Sequence, residues 1–266
     1  MSSLALAALG LAGCALLTGC FKLNPEFVED QGDGSGSSSG SPGSSTGAST
    51  GETSTRVEDG LRVLFVFDAQ ACQPGRVEPV VGSEDLLLGN AMCAECTDAG
   101  LHISKIEGCD PTVASRNPVD LGSGEGFTLE AWVSMSADDI GQRMLLLGDE
   151  FTLSAAPGRS VLFTYESASG GSTPMVTGTR PADPGPWHFA VVHDGATTRL
   201  FIDDVQVGSP LAQDLPPLGT RSLVIAGDPV RDWTGTVHLL AVYDRALDID
   251  EYLVNHAAGP AARGGS

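Results

Sequence analysis

Basic residues are scarce in this 266-residue chain: 14 Lys and Arg stand against 34 Asp and Glu, a formal net charge of −20. A surface of that sign repels nucleic acid and anionic lipid headgroups, which argues against both as electrostatic partners. Residues 1–19 hold no Lys or Arg at all, although an export signal ordinarily begins basic. Long apolar runs are missing too. The uncharged, Leu/Ala-rich stretch 4–17 is too short to span a bilayer as a helix and has the length of a signal-peptide core. No repeat of fixed period is present.

The apolar run closes on Leu17-Thr18-Gly19-Cys20. This tetrad resembles the lipobox of bacterial lipoproteins, in which the cysteine thiol receives a diacylglycerol and becomes the mature N-terminus. The resemblance implies a membrane partner through Cys20. Each buried acyl CH₂ contributes about 0.8 kcal/mol, so several chains together give stable anchoring. Phe21, rather than Asp, stands after the cysteine. By the sorting of such lipoproteins in double-membrane bacteria, that implies export across the inner membrane and retention in the cell envelope at the outer membrane. The alternative is a buried N-terminal helix in a cytosolic protein. Residues 32–55 are nearly all Gly, Ser and Thr, with only Asp33 and Glu52 charged. Such a segment cannot bury enough apolar surface to offset chain entropy and is expected to be disordered. As a coil, the whole stretch of about forty residues from 21 to 60 would reach roughly 35 Å on average. The predicted organisation is a signal at 1–19, a lipid-anchored linker at 20–60, a folded domain at 61–259 and a flexible tail at 260–266.

After Gly60 the pattern changes. Leu61-Arg62-Val63-Leu64-Phe65-Val66-Phe67-Asp68 reads as a strand. Short apolar runs recur at 127–133, 144–147, 161–165, 189–193, 199–202, 223–226 and 237–243, separated by Gly, Pro and Asp. This spacing predicts antiparallel β-structure joined by hairpins. Asp194-Gly195 and Asp203-Asp204 are the expected turns. The chain ends differently. Asp248 and Glu251 form a capping box, Leu247 and Tyr252 a hydrophobic staple, and Gly259-Pro260 a stop, so one short helix is expected to end near Ala258.

Three segments resemble the laminin-G-like, concanavalin A-like jelly-roll superfamily. They are Phe127-Thr128-Leu129-Glu130-Ala131-Trp132-Val133; Trp187-His188-Phe189-Ala190-Val191-Val192-His193-Asp194-Gly195 with Leu200-Phe201-Ile202-Asp203-Asp204-Val205; and Trp233-Thr234-Gly235-Thr236-Val237 through Ala241-Val242-Tyr243-Asp244-Arg245-Ala246-Leu247. The fold class this implies is all-β: an antiparallel β-sandwich jelly roll, with one C-terminal helix as a brace. Asp204 stands where the family usually has Gly in a hairpin turn, and His238 where many members carry an acid.

Cys72, Cys93, Cys96 and Cys109 remain once Cys14 and Cys20 are set aside. In an exported domain an even number reads as two disulfides, with three pairings open. A Cys₄ zinc site is the competitor, but one C-x-x-C and two isolated cysteines fit paired knuckles poorly. A redox role for Cys93–Cys96 lacks the surrounding βαβ unit.

The superfamily contains glycoside hydrolases, whose two carboxylates must face one sugar. No E-x-D-x-(x)-E run is present; Glu130 stands alone between Leu129 and Ala131, and Asp203 and Asp204 look like turn residues. His188 and His193 fall on opposite faces of one strand by parity. Trp132, Trp187 and Trp233 could stack on sugars, but they sit in core motifs and are read as core. No catalytic residue is assigned and no cofactor is required. Members of this fold bind Ca²⁺ at the sandwich rim, which makes the loop acids Asp149, Glu150, Asp194 and Asp228 candidate oxygen ligands. The expected function is a non-catalytic, surface-tethered module that recognises a glycan or a surface protein. The alternatives are a divergent glycan-processing enzyme and a structural envelope lipoprotein without a soluble ligand.

Overall fold

The computed structural model describes residues 55–263, apart from 105, 107, 110, 136–141, 167–171 and 227–232. Cys20, the signal segment, most of the linker, Asp228 and the last three residues lie outside the described residues.

Two antiparallel sheets carry the fold, as the strand-and-turn pattern predicted. The first runs in the order Val205–Ala212, Thr197–Ile202, Trp187–His193, Phe127–Met135, Gly235–Tyr243, Gly100–Ile103, Ala94–Thr97, with Leu61–Val66 also paired to the long Gly235–Tyr243 strand. The second runs Ser172–Thr179, Ser160–Glu166, Phe151–Ala156, Gln142–Leu147, Leu223–Ile225, Val113–Ser115, Leu86–Leu88, Arg76–Val77, Cys72–Gln73. Alternate residues of each strand enter the space between them. Phe127, Leu129, Ala131, Val133 and Met135 come from one sheet, and Leu145, Leu147, Phe151, Leu153, Val161 and Phe163 from the other. Phe127 meets Phe151 edge-on at 5.7 Å, a geometry favoured by the ring quadrupole.

The Phe127–Met135 strand is buried on both faces: only Ser134 is more than slightly exposed. Its second set, Thr128, Glu130 and Trp132, lies under a third layer built from residues 55–60, the segment 245–248 and the helix Ile249–Ala258. That helix has the predicted capping box, with Asp248 and Glu251 each bonding the other's backbone N–H. Tyr252 is buried on Phe201 and donates its hydroxyl proton to the carbonyl of Asp203, which fixes the helix on the 203–204 hairpin. In that hairpin the left-handed residue is Asp203 (φ 55°), not Asp204. The Asp203 carboxylate accepts from His188 N–H at 3.0 Å, which offsets the cost of the conformation.

The cysteine-bearing region between the first strand and Phe127 showed little strand patterning, yet it forms seven short strands, of two to four residues each. Its bridges are Cys72–Cys96 and Cys93–Cys109. Cys72 lies on the edge strand of the second sheet and Cys96 on the edge strand of the first, so one bridge staples the sandwich shut on that side. With all four thiols in disulfides, no Cys₄ zinc site forms.

Candidate functional site

The densest group of ionisable side chains lies in the third layer, around Glu130. Side-chain exposure of Glu130 and Arg56 is 0 %. Arg56 Nη1 donates to Glu130 Oε2. Asn255 Nδ2 lies 3.0 and 3.1 Å from the two carboxylate oxygens, and 3.0 Å from the Tyr243 hydroxyl. Tyr243 donates to the Val57 carbonyl at 3.0 Å, while Val57 N–H donates to Asn255 Oδ1 at 2.8 Å. Thus the entering chain, the central strand, the closing strand and the helix meet at one carboxylate.

Beside it stands a column of rings. His188 is stacked between Trp132 (4.8 Å, 8°) and Tyr252 (4.9 Å, 13°), and Trp132 also stacks on His256 at 5.4 Å. His188 Nε2 is 3.6 Å from Glu130 Oε1. Burial pushes the Glu130 carboxyl up, while Arg56 and Asn255 pull it back. The His188 imidazole is held well below its ordinary value by burial first, then by the Arg56 charge and His256. Burial raises the Tyr243 hydroxyl to about 12. None of these groups faces solvent, so their chemistry is to hold the layers together.

The other residues singled out from the sequence are dispersed. His188 faces the third layer, whereas His193 faces the inter-sheet core, against Phe127 and 3.0 Å from Thr198 Oγ1. Trp132, Trp187 and Trp233 are 7, 1 and 0 % exposed and pack in the interior. Glu150 pairs with Arg221. Asp194 accepts from the N–H groups of Ala196 and Thr197 and pairs with Arg199 at 2.9 Å. Asp149 lies exposed in the adjoining turn. Among the described residues no three His, Cys, Asp or Glu side chains converge in a group able to hold a metal ion.

Among the described residues, two open surfaces bear on ligand binding and carry no recognisable signal in the sequence. One is a groove of about 370 Å³ beside the helix start, lined by Val192, Arg199, Phe201, Gln206, Leu247, Asp248 and Ile249. Its Arg199 and Asp248 are already engaged, by Asp194 and by the helix cap. The other is the part of the first sheet's outward face that the third layer leaves open. There Ser134 Oγ is 2.8 Å from His238 Nε2, His238 Nδ1 meets the Ala99 carbonyl, and His102 Nδ1 is 3.2 Å from Thr236 Oγ1.

A family model described as the concanavalin A-like lectin/glucanases superfamily matches residues 107–251, more than half of the chain. The chain belongs to this superfamily. No curated protein matches it. Among solved structures, Trypanosoma rangeli sialidase in complex with the inhibitor DANA aligns with a TM-score of 0.56 at 18 % identity, over 79 % of this chain and 34 % of that one. A mutant of HCR/D aligns with a TM-score of 0.59 at 7 % identity, over 74 and 52 % of the two chains. The binding domain of botulinum neurotoxin DC in complex with SialylT gives 0.52 at 7 %, over 75 and 52 %. The chain therefore spans about a third of the sialidase and about half of each of the other two chains. At these identities the likeness is one of fold. In this superfamily member the central strand Phe127–Met135 delivers its only carboxylate, the lone Glu130, into a sealed layer. The signal that could have exposed this is a lone charge within a long apolar strand, which demands a buried partner.

Proposed function

We propose that this superfamily member is a non-catalytic glycan-binding module, tethered in the cell envelope by a lipid on Cys20 and the Gly/Ser/Thr linker. The observation that carries the reading is the burial of Glu130. The carboxylate best placed on the central strand is spent on Arg56 and Asn255, whereas the open outward surface offers hydroxyl and imidazole groups. The shared fold with a toxin binding domain in complex with SialylT supports a glycan over a protein ligand.

The purified protein is expected to bind one class of sugar on a glycan array with a micromolar dissociation constant, with or without Ca²⁺. Silence under both conditions overturns the reading, and release of shortened saccharide from the bound glycan replaces it with an enzyme. The tether is tested separately. Cys20→Ala is expected to abolish incorporation of labelled fatty acid and to move the protein from the membrane to the soluble fraction. Unchanged membrane association would sink the lipid anchor while leaving the binding module intact.

A further inference from the structure

We infer that the glycan site is the open row Glu95–His102–Thr236–Ser134 with His238 beside it, and that its ligand is a neutral, hydroxyl-rich saccharide. This rests on the binding-module reading and gives it a place.

The row is defined by register. Glu95 pairs with His102, His102 with Thr236, and Thr236 with Ser134, so the four residues sit directly opposite one another on adjacent strands. Directly paired residues project to the same face of a sheet. Ser134 shares its parity with Glu130 and Trp132, which identifies that face as the outward one. Three strand spacings make the row about 14 Å long, room for a short oligosaccharide laid across the strands. Towards the helix this face is roofed over. At the row the roof has ended: Glu95 and His102 are exposed, and Thr236, Ser134 and His238 are half-buried.

His238 reaches the row because the ladder slips by one residue between Val237 and Leu239, a bulge that adds an outward side chain. The imidazole is fixed at both nitrogens. A carbonyl can only accept, so Nδ1 carries the proton given to Ala99, and the neutral ring's Nε2 accepts the Ser134 hydroxyl. Gly100 makes this approach feasible: it has φ +138°, and a Cβ there would lie 2.6 Å from the Val237 carbonyl. The polar groups are thus set before any ligand arrives, which lowers the ordering cost of binding.

The chemistry of the row selects its occupant. It offers the Glu95 carboxylate, the His102 imidazole and the Thr236 and Ser134 hydroxyls in line, and the Glu95 side chain makes no hydrogen bond or ion pair among the described residues. These are acceptors for the O–H groups of a polyol. The row has no large apolar or aromatic anchor of the kind that fills the centre of a protein interface. Glu95 and the net charge of −20 disfavour a polyanion.

The test uses isothermal titration of the protein with neutral tetrasaccharides of glucose, galactose, mannose and N-acetylglucosamine, and with a sialic acid oligomer as the anionic comparison. At least one neutral tetrasaccharide is expected to bind, with the Glu95→Gln/His102→Ala variant at least tenfold weaker and Ser134→Ala weakened as well. Arg199→Ala, in the groove by the helix, is expected to bind as the unaltered protein does. Glu95 and His102 are exposed, so their replacement leaves the fold intact, which far-UV circular dichroism verifies. Binding that survives the row variants and is lost in Arg199→Ala overturns the site and leaves the binding module standing. Preference for the sialic acid oligomer overturns the ligand class. Absence of binding to every probe overturns the site, and silence on the full array overturns the module with it.

Discussion

Arg56→Ala is expected to remove about 3–5 kcal/mol of folding free energy, the usual cost of stranding one member of a buried ion pair. The guanidinium and the Glu130 carboxylate are both fully enclosed, so the alanine leaves a buried charge whose remaining polar partners among the described residues are the Asn255 amide and the His188 ring, which burial keeps neutral. Asn255 would still donate to the carboxylate, but an amide cannot neutralise it. For a domain of this size the loss corresponds to a fall in Tm of roughly 10 °C. The exposed pair Arg76–Glu78, with Arg76 46 % exposed, supplies the comparison: Arg76→Ala is expected to cost roughly 0–1 kcal/mol. The double replacement Arg56→Met/Glu130→Met removes both charges and is expected to recover much of the loss, because a buried pair exchanged for apolar groups of similar volume is often close to neutral. Urea denaturation of the four proteins checks this. A change below about 1 kcal/mol in Arg56→Ala would show that Glu130 is solvated or protonated instead.

This clasp also shows where sequence reasoning reached its limit. The strand 127–133, its turn partners, the capped helix and the buried tryptophans were all readable, because each depends on neighbours within one or two turns of chain. The partners of Glu130 were not. Arg56 is 74 residues away and Asn255 is 125 away, and Arg56 comes directly after a segment whose composition signals disorder. Its status as the lone arginine of the first sixty residues was the available clue. The short strands of the cysteine-bearing region were hidden for another reason. Strands of two to four residues leave no alternation to read, and disulfides together with edge pairing hold them where hydrophobic pattern alone would not. Ser134 and His238 met through a bulge. The sequence marked His238 only as a departure from its family; the register slip that turns it outward is a property of the ladder, not of any local motif.

Folding stability is expected to fall as pH drops below about 6.5, before the carboxylates protonate. His188 and His193 are both 0 % exposed, and burial lowers both imidazoles, His188 well below its ordinary value. The groups facing His188 are Glu130, Arg56 and His256. The Arg56 charge already compensates the carboxylate, so the ring gains no net cation-binding partner. Asp194 and Asp214 pull His193 back only in part. In the unfolded chain each histidine takes up a proton near pH 6.5, while in the folded protein burial shifts that uptake to lower pH. The unfolded state therefore binds more protons, and stability is lost as pH falls from 6.5 towards the folded-state values. Each such histidine contributes a slope of at most about 1.4 kcal/mol per pH unit, and His238, also lowered by burial, adds to the loss in the same direction. The lowered carboxylates Asp68, Asp194 and Glu251 act in a separate window, below their unfolded values near pH 4. His188→Phe isolates the first term: neither ring nitrogen of His188 has a hydrogen bond among the described residues, and a phenyl ring fits between Trp132 and Tyr252. The variant is expected to show a clearly shallower slope than the unaltered protein between pH 6.5 and pH 5 in urea denaturation. An unaltered slope would mean that His188 is protonated in the folded protein and paired with Glu130, and the ring column would then be a charged one.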